Sequence, residues 1–449
     1  MPICIGYSII KIIVKLQSSS LNCKIIRTLQ MKHNPYLFNY LRKAVIYEVN
    51  LRQYTESGDI ASFREHLPRL KNMGVDILWF MPIYTIGIIN RKGSLGSYYS
   101  IRNFTEVNPE FGSSTDFKNL VKEIHELGMK VIIDWVANHA SWDNEWTINH
   151  PEYFLRTETG EFISPYDWTD VIQINHFNPA AHEEMYRAMC YWVKEFDIDG
   201  FRADLAHLTP LDFWVHARIK TEKIKQNLIW LAETEEEEFY KAFDIIYSWK
   251  WMHATENLLK NYSVNTNLLK DILIHHQIHT PAQSLQLFFT TNHDENSWNG
   301  TEFEKYGPFV KALTVFNFLY PFSLPLIYSG QEIPNLKRLL FFDKDSLQWE
   351  FDDTSESFYK TIINIRKSII TDDFFEFLDK GKTVLSFRSG IGKGSMLVII
   401  NLGNSEFVNA SNDFDGEFVQ LLNDSTFSMF SNEGIILKPG EYAVYMKVA

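Results

Sequence analysis

Four apolar, strand-like segments of this chain lead directly into acidic residues, and this repeat constrains the fold more than any other feature. Three of the segments end at Asp134, Asp204 and Glu233, and the fourth is followed by Asp294. Strand-like and helix-like segments alternate from about residue 40, which is typical of a parallel α/β architecture. Parallel strands present their carboxyl ends at one edge of a sheet, so we expect three of these acids to converge there with the histidines His139 and His293.

Eight strand-like segments can be counted before residue 330. They are residues 45–49, 76–81, 131–134, 198–203, 228–232, 245–248, 285–290 and 326–329. Eight strands with helices between them predict an α/β fold of the (β/α)8 TIM-barrel type. The clearest helix covers the stretch around Phe117 to Leu127, where apolar residues recur every three or four positions, with Ser114 or Thr115 as its cap and Gly128 at its end.

Three segments do not follow the alternation. Residues 139–179 are too many for an ordinary loop and predict a small inserted subdomain after the third strand. Short alternating runs over residues 371–449 predict a C-terminal antiparallel β-sandwich domain. Residues 1–30 carry four basic residues and no acid, and lysines interrupt their apolar runs, so we interpret them as an extension outside the 31–370 barrel. A signal peptide is the less favoured alternative.

Composition narrows the class of partner and compartment. The formal net charge of −13 argues against nucleic acid or an anionic membrane surface as the main partner. Of the three cysteines, only Cys190 lies in the body of the chain, so no disulfide framework is predicted there. This favours a cytoplasmic protein, with a periplasmic or secreted one as the alternative. No run approaches the roughly 20 apolar residues of a membrane span, and the oligomeric state is not predicted.

Two of the acids have surroundings that suggest different chemical roles. Arg202 and Asp204 share one face of a strand, and a neighbouring guanidinium favours an ionised carboxylate, as a nucleophile requires. A structural ion pair is the alternative reading. Glu233 follows an apolar run, and desolvation would raise its pKa, as a general acid requires. An acid and a carboxylate together can cleave a glycosidic bond.

Four motifs, in order and spacing, resemble those of the alpha-amylase family, glycoside hydrolase family thirteen. They are Asp134-Trp-Val-Ala-Asn138-His139, Gly200-Phe-Arg202-Ala-Asp204, Glu233 after Trp230-Leu-Ala, and Phe289-Thr-Thr-Asn292-His293-Asp294. Residues 74–82 and 330–332 are similar to the family's auxiliary motifs. The resemblance covers most of residues 40 to 370.

The resemblance implies a role for each matching position. Asp204 would be the nucleophile, Glu233 the acid and base, and Asp294 the residue that stabilises the transition state by holding sugar hydroxyls. Tyr99 would be an aromatic platform under the sugar, although a core or loop aromatic is the alternative. The positions implied to bind substrate are Tyr99, Asp134, His139, Arg202, His207 and His293.

The function implied is a retaining glycoside hydrolase that cleaves α-glucosidic bonds in α-glucans or malto-oligosaccharides through a covalent glycosyl-enzyme on Asp204. An α-glucanotransferase would use the same residues and pass the glycosyl group to a sugar. A non-catalytic relative is disfavoured because Asp204, Glu233 and Asp294 are all present. Linkage preference and endo or exo action are not predicted.

The resemblance also implies a calcium site, with Asn138 among its ligands. Gln173 supplies a neutral amide where the family has an acidic ligand, and calcium affinity follows the number of charged ligands. Asp143, Asp167 or Asp170 could compensate from elsewhere in the insert. We therefore expect no tight structural calcium and a hydrogen bond from Asn138 within its own loop. No other cofactor is predicted.

Overall fold

The strands of the first 330 residues include every barrel strand expected from the sequence. They are β1 (Ile46–Val49), β2 (Ile77–Phe80), β3 (Tyr84–Ile86), β4 (Ile101–Val107), β5 (Lys130–Val136), β6 (His139–Ser141), β7 (Val171–Gln173), β8 (Gly200–Asp204), β9 (Ile229–Ala232), β10 (Ile245–Tyr247), β11 (Leu285–Phe288) and β12 (Ser323–Tyr328). In this computed structural model, eight parallel strands close into a barrel in the order β1-β12-β11-β10-β9-β8-β5-β2. The predicted fold class is confirmed.

The structure describes residues 34–261, 264–282, 284–350, 353–369, 374–409, 417–422 and 435–448. The interpretation of residues 1–30 as an extension falls outside these ranges.

The interior of the barrel is apolar because alternate residues of each strand point inward. Ile46, Ile132 and Leu231 belong to one buried cluster formed by these inward positions. At Gly200 of β8 the neighbouring strand comes so close that an added Cβ would lie 2.0 Å from the carbonyl oxygen of Ile229. A side chain there would push β8 away from β9 and displace the residues that follow it.

Helices surround the barrel and connect its strands. They are α1 (Pro35–Leu41), α2 (Leu51–Tyr54), α3 (Ile60–Arg64), α4 (Leu67–Met73), α5 (Ser114–Glu126), α6 (Trp146–Asn149), α7 (Pro179–Phe196), α8 (Leu211–Thr221), α9 (Trp249–Lys260), α10 (Thr266–His279), α11 (Glu302–Tyr306), α12 (Val310–Leu319) and α13 (Asp353–Ile369). None of the helices in the described ranges has both the length and the apolar character to span a membrane.

Helix α5 shows how local sequence sets an element's boundary. Ser113 caps it: its hydroxyl accepts from the Asp116 N–H at 3.2 Å, and the Asp116 carboxylate accepts from the Ser113 N–H at 2.8 Å. The expected cap at Ser114 or Thr115 is therefore wrong by at least one residue. The reciprocal bonds of this capping box satisfy two amide groups that the first turn leaves free.

Two smaller β regions accompany the barrel. After β5, strands β6 and β7 pair antiparallel within the inserted segment, and β3 pairs with β4 beside it. The C-terminal strands are β13 (Phe375–Leu378), β14 (Val384–Ser389), β15 (Met396–Asn401), β16 (Phe407–Asn409), β17 (Phe418–Gln420), β18 (Ile435–Leu437) and β19 (Tyr442–Lys447). They form an antiparallel sheet in the order β13-β14-β15-β19-β17 and a separate β16-β18 pair.

Candidate active site

Strand alternation brings charged side chains together at the carboxyl end of the barrel. Ile46, Ile132 and Gly200 occupy inward positions of β1, β5 and β8. Two residues further along the same strands come Glu48, Asp134 and Arg202. The same two-residue period that fills the interior with apolar side chains therefore delivers the next inward position to the barrel mouth. The four predicted acids end up around one cationic side chain.

Arg202 is that cation, and it contacts three carboxylates. Its Nη1 lies 2.9 Å from Asp134 Oδ1 and 3.1 Å from Asp204 Oδ1, and its Nη2 lies 2.9 Å from Glu233 Oε2. Its Nε donates to the Tyr247 hydroxyl at 3.2 Å. The side chain is fully buried. The sequence predicted an Arg202–Asp204 pair, but the structure shows one guanidinium shared among three acids.

A second chain of contacts runs through His293. Its Nδ1 lies 2.5 Å from Glu48 Oε1, and its Nε2 lies 2.7 Å from the Tyr99 hydroxyl and 3.3 Å from Asp294 Oδ2. Burial alone would lower the pKa of His293, but Asp294 and Glu48 raise it well above its ordinary value. His293 is therefore held as an imidazolium.

The cluster as a whole is acidic. Five carboxyl groups, those of Glu48, Asp134, Asp204, Glu233 and Asp294, surround the two cations Arg202 and His293. Full ionisation would leave a net charge of −3, which is costly in a buried site. The crowding therefore raises the pKa values of the buried carboxyl groups Asp134 and Asp204.

The individual pKa values follow burial and neighbouring charge. Burial raises the pKa of Asp134 to about 6 and that of Asp204 well above its ordinary value, and nearby carboxylates add to both shifts against the opposing effect of Arg202. Burial also acts on Asp294, but His293 lowers the pKa of Asp294 overall. Asp204 was expected to stay ionised beside Arg202, but burial, together with Glu233 and Asp134, raises its pKa against the effect of that guanidinium.

Glu233 also differs from its expected environment. In place of an apolar setting, it has Arg202 beside it and accepts a hydrogen bond from the Leu205 N–H at 2.7 Å. The apolar residues before Glu233 face the barrel core and the helices, and they do not surround its carboxyl group.

A cavity of about 580 Å³ opens over this cluster. Asp204, Glu233 and Asp294 all line it, together with Tyr99 and His139. The ring of Tyr99 stacks on His293 and Phe341, with ring centroids 5.5 and 6.3 Å apart. Asp204 Oδ2 accepts no hydrogen bond from any described residue. The carboxyl group of Asp204 lines the cavity, where a carboxylate can attack a bound molecule.

The other positions predicted to bind substrate differ in where they lie relative to the cavity. Asp134, Arg202 and His293 lie beneath the cavity wall, where they contact its lining residues. Burial lowers the pKa of His139 to about 4, so this ring is neutral at pH 7. His207 is exposed on the 3-10 turn Ala206–Leu208 and does not line the cavity.

Several residues at the site were not predicted. Glu48 could have been noticed as an acid at the end of a first apolar strand, the position that drew attention to the other four acids. Lys92, Trp298, Phe341 and Phe342 also line the cavity. Lys92, Phe341 and Phe342 come from loops and Trp298 from the π-helical turn Glu295–Asn299, and no local pattern in the sequence assigns them to the cavity.

The residues at the implied calcium position do not fit that ion. The side-chain amide of Gln173 donates to both oxygens of Asn138, at 2.7 Å to Oδ1 and 3.0 Å to the carbonyl oxygen. Asp170 pairs with Lys92 at 2.8 Å. The described part of the chain contains no group of three or more His, Cys, Asp or Glu residues suited to a metal ion. Hydrogen bonds join the insert to the barrel where the family would place calcium.

Comparisons with known proteins agree with this geometry. The family model for the alpha amylase catalytic domain matches residues 45–171 and 151–368. The structure is similar to an α-amylase from Lactobacillus plantarum, with 28% identity, a TM-score of 0.82, and coverage of 91% of this chain and 99% of that one. It is also similar to a noncanonic maltogenic α-amylase from Thermotoga neapolitana, with 30% identity, a TM-score of 0.81 and the same coverage.

A curated relative matches over a shorter range. The α-glucosidase of Apis mellifera is 29% identical over 206 residues, which cover 37% of this chain and 35% of the relative. The chain therefore aligns with about a third of the length of that protein.

Proposed function

Because the chain belongs to the alpha-amylase family, we propose that it is a retaining glycoside hydrolase that cleaves α-glucosidic bonds in α-glucans or malto-oligosaccharides. The observation that carries the proposal is that Asp204, Glu233 and Asp294 line one cavity beside the aromatic ring of Tyr99. Two carboxyl groups flanking a sugar-sized space, with a third acid nearby, are the groups that this reaction needs. The names of the similar amylases support the choice of an α-glucan.

The reaction has two balanced steps. Asp204 attacks the anomeric carbon, the glycosidic bond breaks, and Glu233 gives its proton to the departing oxygen. Glu233 then takes a proton from water, the water oxygen bonds to the anomeric carbon, and Asp204 is released. Glu233 recovers in the second step the proton that it gives up in the first.

Charge development explains the other groups. The transition state resembles an oxocarbenium ion, so the carboxylate of Asp294 stabilises it and also accepts hydrogen bonds from sugar hydroxyls. The imidazolium of His293, with Nδ1 on Glu48 and Nε2 beside Asp294, holds the Asp294 carboxylate in place. Tyr99 supplies an apolar face on which a sugar ring can stack.

The partner and the compartment remain predictions from composition. We infer a neutral carbohydrate substrate and no nucleic-acid partner because the net charge is −13. The absence of a disulfide framework in the body of the chain favours the cytoplasm over the periplasm or secretion.

Proton NMR of the first turnovers on maltoheptaose tests the proposal. The first product should be the α anomer, since each of the two steps inverts the configuration at the anomeric carbon. A β anomer appearing first would contradict the mechanism. Product analysis on maltoheptaose, pullulan and isomaltose would separate hydrolysis from transfer to a second sugar, which is the alternative reaction of the same residues.

A further inference from the structure

One wall of the cavity is built from three separate parts of the chain. Lys92, in the loop between β3 and β4, lies 2.8 Å from the carboxylate of Asp170 in the insert. The Lys92 Nζ also lies 5.9 Å from the ring centre of Phe342, in the loop after β12. All three residues line the cavity. We call this set, Lys92, Asp170 and Phe342, the Lys92 wall.

The loop that carries Lys92 is fixed on both sides. The Leu95 N–H donates to the Phe342 carbonyl oxygen at 3.0 Å, and the Ser94 N–H donates to Asp343 Oδ1 at 2.8 Å. On the other side, the Ser100 hydroxyl donates to the Asp170 carbonyl oxygen at 3.0 Å. These bonds hold the loop against both neighbours of Lys92, so the wall is part of the folded structure.

The chemistry of cleavage places the wall at one end of the substrate. Glu233 protonates the leaving group, so that part of the substrate lies on the Glu233 side of the cavity. In the proposed function, the retained glycosyl unit stacks on Tyr99. The Tyr99 ring stacks on Phe341, whose ring centre is 5.1 Å from that of Phe342. The Lys92 wall therefore lies beyond the retained unit, towards the non-reducing end of the substrate.

We infer that the Lys92 wall limits how many sugar units fit on the non-reducing side of the cleaved bond. The chain would then act from free non-reducing ends, on short malto-oligosaccharides in preference to internal bonds of long chains. The cavity volume of about 580 Å³ falls within the range of about 300 to 1,000 Å³ typical of small-molecule pockets. This inference rests on the proposed function and adds the substrate class to it.

The test compares p-nitrophenyl α-maltoheptaoside with the same compound blocked by a 4,6-ethylidene group at its non-reducing end. Products are separated and quantified by chromatography. We expect the wild-type chain to cleave the blocked compound at least about tenfold more slowly, judged by kcat/KM. Lys92→Ala removes the side chain between Asp170 and Phe342, and should raise the ratio of blocked to unblocked rates by about tenfold.

Lys220→Ala is the matched control. Lys220 forms an ion pair with Glu183 at 2.8 Å, and its side chain is 35% exposed, against 36% for Lys92. The pair joins α7 and α8, and neither residue lines the cavity. This variant loses an equivalent ion pair and should leave the ratio of rates unchanged.

The outcomes separate the inference from the proposed function. Equal wild-type rates on both compounds would overturn the inference and leave the hydrolase assignment standing. The inference would also be overturned if the wild type cleaved the blocked compound more slowly but Lys92→Ala left the ratio of blocked to unblocked rates unchanged. Another group would then form the barrier. Failure to cleave the unblocked compound at all would overturn the proposed function, and the inference with it.

Discussion

The two ends of the barrel each hold a fully buried arginine, and the two arginines have opposite surroundings. At the carboxyl end, Arg202 contacts three carboxylates, and these raise its pKa although burial acts to lower it. At the amino end, Arg366 of α13 donates to the carbonyl oxygens of Ala44 and Phe318 and to Ser323, and burial lowers its pKa to about 9.

The surroundings of the two arginines indicate a structural role at the amino end of the barrel and a catalytic role at the carboxyl end. Arg366 joins the residues that precede β1 and begin β12, and each of its hydrogen bonds saturates a group of the folded backbone or a hydroxyl. Arg202 holds together acids that repel one another and leaves Asp204 Oδ2 without a partner. Such crowding lowers the stability of the fold but supplies reactive groups, a trade-off that is common at functional sites. Variants at the two ends should therefore separate activity from stability.

The largest effect is expected from Asp204→Asn, which should lower turnover by about a thousandfold or more because it removes the nucleophile. Glu233→Gln and Asp294→Asn should do the same. Asp204→Asn should also raise the melting temperature at pH 7, since it relieves carboxylate repulsion while Arg202 keeps two acidic partners. Steady-state kinetics and thermal unfolding measure both changes.

Asp212→Asn, an exposed acid on α8, is the control and should change neither quantity. If Asp204→Asn kept more than about a tenth of wild-type activity, Asp204 could not be the nucleophile.

At the other end, Arg366→Ala should lower the free energy of unfolding by about 3 kcal/mol, because several buried carbonyl oxygens lose their donor. Turnover per folded molecule should stay within about twofold of wild type. Denaturant unfolding checks the first value. Arg102→Ala, at a half-exposed arginine, should change stability by less than about 0.5 kcal/mol. If Arg366→Ala lost activity but kept its stability, the structural role assigned to Arg366 would be contradicted.

The third prediction concerns pH. The pKa of Asp134 is raised to about 6 in the folded protein, against an ordinary value of about 3.9. Between these values the folded chain binds a proton that the unfolded chain releases, so this group makes stability fall as pH rises from about 4 to 6. Asp134→Asn should remove a contribution on the order of 2 kcal/mol across that window.

Asp199, just before β8 at the amino end, should behave in the opposite way. Burial acts against ionisation, but His125, Lys225 and Lys130 lower the pKa of Asp199 below its ordinary value. Its ionised form stabilises the fold above the unfolded pKa, and this stabilisation is lost as pH falls. Asp199→Asn should therefore reduce stability at pH 7. Unfolding curves from about pH 2 to 7 measure both slopes, that of Asp134 between about pH 4 and 6 and that of Asp199 below about pH 4, and slopes of the same sign would contradict the comparison.

The smallest effect is expected from metal removal. Gln173 already donates to both oxygens of Asn138 where the insert meets the barrel mouth. Excess EDTA, compared with millimolar calcium, should therefore change the melting temperature by less than about 1 °C. A decrease above about 5 °C would show that a structural cation is bound.

The sequence predicted those parts of the molecule that local patterns determine. The eight barrel strands follow from apolar runs, and Asp134, Asp204, Glu233 and Asp294 could be assigned to one end because parallel strands share a direction. The cap of α5 was misplaced because Ser113, Ser114 and Thr115 are all acceptable caps, and only the reciprocal bond with Asp116 distinguishes them.

Other features depend on residues that are distant in the chain. Glu48 and His293 are 245 positions apart, and nothing near either residue predicts the hydrogen bond between them. The contact of Lys92 with Asp170 also depends on how two loops meet. The error about Asp204 had a similar origin, since the sequence shows that Arg202 is nearby but shows neither the burial of Asp204 nor the other acids around it.

The sharing of Arg202 has a consequence for titration experiments. Because Asp134, Asp204 and Glu233 contact one guanidinium, a proton gained by any of them changes the field felt by the other two. The midpoints of a pH–rate profile would then be macroscopic constants of the whole network, and neither limb could be attributed to a single residue. Asp134→Asn, which keeps both Asp204 and Glu233, should shift both limbs together.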